Sequence, residues 1–189
     1  MPAFSQPVFD MQRVFRVVLD AMSRPARLCR LPVFPQSVPD GLSPVLADLA
    51  LTLCDGESPL WLSPGLRKDG TTTWLRFHCG CPIVEEADKA AFALVADVAE
   101  LPPLSAFAQG VPAYPDRSAT VLLAGLAFDA GTRFRGSGPG MLRGTYLHLH
   151  VARRFCGTVA REHVGLPARR GHAAVRHRRR GRSAAHHAP

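Results

Sequence analysis

Residues 43–62 read SPVLADLALTLCDGESPLWL, a capped apolar helix running into a proline-bounded strand. Ser43 offers an N-cap oxygen, and Pro44 stands at the first helical position, where its missing N–H costs nothing. Val45, Leu46, Leu49 and Leu53 recur at helical spacing, so a well-buried helix is predicted over 44–54. Leu60-Trp61-Leu62 is too short for a helix and lies between Pro59 and Pro64, which predicts a strand. A helix passing directly into a short apolar strand is the building block of a layered α/β domain.

Working outward, the same unit recurs. Asp10 to Met22 is predicted to form an amphipathic helix, with Phe15, Val18, Leu19 and Met22 three and four residues apart, Asp10 as its cap, and Ser23-Arg24-Pro25 as its stop. A short apolar stretch at Leu28 to Leu31 leads into a loop carrying Pro32, Pro35 and Pro39. On the other side, TTTWLRFH at 71–78 fits either a short helix or a strand. Phe92 to Val95 and Thr120 to Leu123 are short apolar runs suited to inner strands, with a helical turn at Leu104 to Ala108 between them. Residues 128–135 read as a further strand closed by the turn GSGPG at 136–140, and GTYLHLHV still alternates as a strand through Leu147, Leu149 and Val151. This order predicts an α/β fold with a mixed sheet covered by helices.

The chain has 189 residues, 47% of them hydrophobic, enough for one domain with a real core. Its +8 charge is uneven: residues 1–142 hold 12 Lys and Arg against 14 Asp and Glu, whereas residues 143–189 hold 11 against 1. Seven of the eight histidines also lie in that second part. The chain therefore divides into a body, 1–151, and a tail, 152–189, rich in Arg, His and Ala. The end of the tail, PARRGHAAVRHRRRGRSAAHHAP, is too polar to bury a core, and disorder is expected there. Without an 18-residue apolar run or a signal-peptide pattern, a cytoplasmic protein is expected. The five cysteines (29, 54, 79, 81 and 156) are scattered without a CxxC pair, which favours reduced thiols over a disulfide framework.

Little in the body suggests catalysis. His78, Cys79 and Cys81 in RFHCGCP are ligand types that zinc accepts, but the cysteine spacing is short and no second ligand pair accompanies them. His78 is the one histidine of residues 1–142, and no nucleophile–base set can be assigned around it. GSGPG lacks the Lys-Ser/Thr of a phosphate-binding loop, and Pro139 removes a donor. No catalytic residue, metal or cofactor is therefore assigned. Arg76 and His78, polar members of an apolar box, are the candidates for contact with an anionic ligand or partner, against structural roles for both. The tail's RHRRRGR leaves an alternative, a small basic protein binding nucleic acid through its C-terminal arm by phosphate neutralisation.

Two stretches carry a family likeness. PVFDMQRVFRVVLDAMSRPARL at 7–28 resembles the opening of the PhnH family, in Asp10, Gln12, Phe15, Arg16, Leu19, Ala21, Met22, Ser23 and Pro25. LALTLCDGESPLWLS at 49–63 and LRFHCGCPIVEEADKAAFALV at 75–95 resemble its core, in Asp55, Pro59, Trp61, Arg76, Phe77, His78 and Pro82. The resemblance implies the PhnH component of the carbon–phosphorus lyase core complex of phosphonate catabolism. It implies a three-layer α/β/α sandwich similar to the large domain of pyridoxal-phosphate-dependent transferases, but without the cofactor. It implies a homodimer in isolation and assembly with subunits G, I and J. That complex forms ribose 1-phosphonate 5-triphosphate from a nucleoside triphosphate and a phosphonate, and the PhnH component is expected to be architectural within it. The family's C-terminal pattern does not follow residue 151. A one-base shift of GC-rich codons near 152–157 would generate the Arg, Ala, Pro, His and Gly that follow instead, so a change of reading frame is expected there.

Overall fold

A computed structural model describes residue 4 and residues 6–25, 27–32, 34, 37–135, 146–150 and 174–176. Its centre is a four-stranded sheet of β2 (Leu60–Leu62), β3 (Ile83–Val84), β4 (Phe92–Val95) and β7 (Thr120–Leu123), in the order β3-β2-β4-β7. Every pairing within it is parallel, with Leu60 opposite both Ile83 and Phe92, and Phe92 opposite Thr120. The three strands expected at 60–62, 92–95 and 120–123 are thus neighbours. The mixed pairing expected of the sheet is not seen among its described strands. The antiparallel pairs form separate ribbons, β5 (Gln109–Val111) with β6 (Tyr114–Ser118) and β8 (Ala127–Arg135) with β9 (Tyr146–His150).

Alternation along the strands sorts side chains to two faces. Leu60, Leu62, Leu94 and half-buried Leu122 meet α2 (Pro44–Leu53) and α3 (Asp69–Cys79) on one face. Trp61, Ala93, Val95 and Val121 meet Phe107 and Leu101 on the other. The segment at 71–78 is therefore helical, and α3 carries the chain from β2 across to parallel β3. A parallel pair requires such a crossover. Leu104–Ala106 is a single 3-10 turn, as expected.

The second helix follows its sequence closely. Ser43 Oγ accepts from Leu46 N at 3.2 Å, and Leu46, Ala47, Asp48, Leu49 and Ala50 are all buried. Helix α1 (Pro7–Ser23) packs against α2 through Val14 and Val18, which join Leu31 and Leu49 in one cluster. Two expectations for α1 need correction. It begins at Pro7 with Gln6 at the cap position, so Asp10 lies inside the first turn, where its Oδ2 accepts from Gln6 N at 3.0 Å. The buried face is Asp10, Val14, Val18 and Ala21, while Phe15, Leu19 and Met22 point outward. The apolar arc of α1 is wider than one neighbouring helix can cover.

The apolar stretch after α1 forms β1 (Leu28–Arg30), which pairs in parallel with β10 (Ala174–Arg176). Those three residues are the described part of the tail. GSGPG at 136–140, Val151 and the region of the expected frame change lie outside the described residues, as does most of the expected disorder.

Candidate functional site

Arg76 and His78 stand in the last turn of α3, where the positive charge of Arg76 suits the negative end of the helix dipole. The helix stops because Gly80 takes a left-handed conformation, φ 68°, and donates to Arg76 O at 3.1 Å, the usual glycine solution to a helix C-terminus. Residues two apart on a helix do not share a face, and the surroundings of the two side chains bear this out. Arg76 is exposed, and its charge adds a lesser push to the hydrogen bond from Cys79 that chiefly holds the Cys81 thiol pKa down. The His78 ring lies 4.4 Å from that of Trp74 and 4.9 Å from that of Phe77. The two sequence candidates are thus not brought to one point.

His78, with Gly70, Thr73, Trp74 and Phe77, lines an open depression of about 500 Å³. Trp74 is fixed by its Nε1, which donates to Ser37 O at 3.2 Å, while Phe77 is 81% exposed. Partial burial holds His78 below the ordinary histidine pKa. That shift favours the neutral ring, which offers an aromatic surface beside Trp74 and Phe77.

Arg76 borders the cysteine group. Cys54 and Cys81 are buried in the core cluster under α2 and α3, with Cys79 packed against it. A hydrogen bond between Cys79 and Cys81, each flanking Gly80, lowers the Cys81 pKa and raises that of Cys79. Burial pushes the Cys54 thiol up to about 12. Among the described residues, no group of three His, Cys, Asp or Glu side chains is disposed to hold a metal ion.

Sequence reading missed the polar cluster at the carboxyl ends of β2 and β4. In parallel sheets this edge is the ordinary place for a ligand. Here it is filled by the chain's own carboxylate: Glu100 accepts from Ser63 Oγ and from Gly65 N at 3.0 and 3.1 Å. Ser63, fully buried, accepts in turn from Ala96 N at 3.3 Å. A side chain at Gly65 would start 2.6 Å from Glu100 Oε1, so glycine is required for the carboxylate to seat. The signal lay in LWLSPG, a buried strand running into Ser-Pro-Gly, but its acidic partner is 37 residues away from Ser63. Beside it, Arg67 Nε donates to Leu62 O at 2.8 Å, its guanidinium pairs with Glu85, and it stacks over Trp61 at 5.3 Å. Both ionic groups at this edge are committed to holding the strand ends.

Lys89 is likewise paired, with Glu86, and exposed Lys68 caps α3 without a side-chain bond. Among the described residues, no helix is long and apolar enough to cross a membrane.

A family model described as "Bacterial phosphonate metabolism protein (PhnH)" matches residues 2–168, past residue 151 where the sequence pattern fades. The alpha-D-ribose 1-methylphosphonate 5-triphosphate synthase subunit PhnH of Rhizobium meliloti (strain 1021) is 38% identical over 142 residues. That similarity spans 75% of this chain and 70% of the relative.

Proposed function

This chain belongs to the PhnH family of bacterial phosphonate-metabolism proteins, and from that membership we propose that it is an architectural subunit of a ribose 1-methylphosphonate 5-triphosphate synthase. In this reading it assembles in the cytoplasm with subunits G, I and J and forms a homodimer when isolated. The group that joins phosphonate to the ribose of a nucleoside triphosphate is supplied by those partners. The observation that carries the architectural role is the occupied strand edge. The position where a parallel sheet would offer a ligand its anion site holds Glu100 instead, with Ser63 and Gly65 as its donors.

The reading includes a three-layer α/β/α body, without pyridoxal phosphate. It includes Arg76 as a contact for an anionic ligand or partner, with His78 contributing an aromatic surface. It also takes the tail, 152–189, as disordered or as the product of a frame change near 152–157, against a family match that runs on to residue 168; resequencing codons 152 to 157 and finding no family pattern one base away removes the frame change.

The test is co-expression of subunits G, I and J with and without this chain, followed by affinity purification and phosphorus NMR of the product. The chain is expected to co-purify, and turnover to require it. Arg76→Ala should weaken capture about threefold to tenfold, the effect of one exposed charged contact. Full turnover by G, I and J alone, or failure of the chain to co-purify, overturns the proposal.

A further inference from the structure

Six of the nine large hydrophobic side chains exposed among the described residues lie between positions 8 and 28. Val8, Phe15, Leu19 and Met22, exposed by 73%, 44%, 51% and 36%, stand at i, i+7, i+11 and i+14, one stripe along a helix. Phe9, a quarter-turn round the helix from Val8, and Leu28, on β1 in the cleft with Arg16 and Asp20, are also exposed, by 61% and 41%. Together they present on the order of 500 Å² of apolar surface, the upper range for a patch on a monomer and more than half of one side of a standard interface.

Charge indicates what covers the stripe. A shallow cleft beside it is lined by Arg16, Arg27 and Arg30, with Asp20 among them. Asp20 is already paired with Arg24 at 3.0 Å and with Arg27 at 3.5 Å. Arg16 and Arg30 make no ion pair among the described residues. The rim is therefore net positive. A two-fold contact between copies of α1 running antiparallel would place each Arg16 on the same side as its equivalent, because an isologous interface sets a patch against itself. Like charges so placed oppose association.

We infer that the outward stripe of α1 is the docking surface for another subunit of the synthase, one that presents an apolar ridge rimmed by carboxylates. The inference rests on the proposed subunit role. It fits the shape of α1: Val14 and Val18 hold the helix on α2, and the adjoining apolar arc is left for the partner.

The test uses the full chain co-expressed with subunits G, I and J. Phe15→Glu/Leu19→Glu should reduce capture at least about tenfold with the circular dichroism and melting temperature of the wild type, and Arg16→Glu should reduce it less and remove part of its salt sensitivity. Capture of both variants at the wild-type level overturns the docking surface while leaving the subunit role intact. Failure of the wild-type chain to be captured overturns both. A Phe15→Cys variant, alkylated with a maleimide and read by peptide mass spectrometry, separates the other occupants and does not depend on the charge substitutions folding. It should react rapidly in the isolated chain and at least about tenfold more slowly in the complex. Protection in the isolated monomer means that this chain covers its own stripe, and protection only in a dimer means that a second copy does; either result overturns the inference.

Discussion

Helices α1 and α2 carry similar apolar repeats, yet they end in different environments. Helix α2 lies between α1 and the sheet and is buried over most of its circumference. Helix α1 touches the body along Val14, Val18 and Ala21 and turns Phe15, Leu19 and Met22 outward. A 3.6-residue period marks a helix with an apolar side. It does not say whether one neighbour or two will cover that side. The difference lies in tertiary layering: α2 is packed on both sides, whereas α1 meets α2 and the β1 edge and leaves its outer stripe uncovered.

Truncating the two helices should separate them most strongly. Leu46, 1% exposed in the main core cluster, leaves a cavity when shortened, so Leu46→Ala should cost about 2–5 kcal/mol in urea unfolding. Leu19, 51% exposed, leaves none, and Leu19→Ala should stay within about 0.5 kcal/mol in the isolated protein. Comparable losses at both positions would mean that α1 is covered in the free chain.

A buried carboxyl gives α2 a pH dependence. Asp48 is fully buried, and that burial raises its pKa to about 7 from an ordinary 3.8. The amide of Phe34, donating at 3.3 Å, opposes the shift, and the charge of Asp10 across the helix pair adds to it. Between pH 3.8 and 7 the folded state holds a proton that the unfolded state has released. Stability contributed by this group is therefore full below the lower value, falls as pH rises through the window, and is flat above it. The fall should be on the order of 2–4 kcal/mol. Urea titrations at pH 4, 5.5, 7 and 8 should show that slope in the wild type and its loss in Asp48→Asn. An unchanged slope in the variant would remove Asp48 as its source.

The contrast also measures how much was legible in the sequence. Helix α2 was readable to within a residue because its local signals, Ser43, Pro44 and the leucine repeat, agree with its tertiary setting. The strands at 60–62, 92–95 and 120–123 were readable because each is a short apolar run with loop residues beside it. The helix at 69–79 was not settled, since Thr71, Thr72, Thr73, Trp74 and Phe77 favour a strand when isolated, and only the crossover between β2 and β3 makes it helical. Arg76 and His78 were found as polar interruptions of an apolar string, but the helix sends them to different surroundings. The Ser63–Glu100 cluster was out of reach because its partners meet only after the sheet forms.

The smallest difference concerns how the two helices start. Ser43 closes the first turn of α2 by accepting from Leu46 N, and Ser43→Ala should lower stability by about 1 kcal/mol. Gln6, at the equivalent position of α1, makes no side-chain cap bond, so Gln6→Ala should change stability by less than about 0.5 kcal/mol. Its amide donates to Asp10 Oδ2, a backbone bond that the substitution leaves in place. If thermal melts instead give equal losses, the Gln6 side chain has a cap role in solution and the first turn of α1 is as firmly set as that of α2. A negligible loss at Gln6 beside a measurable one at Ser43 means that α1 is secured by Asp10 and its packing on α2, with its outer stripe left for a partner.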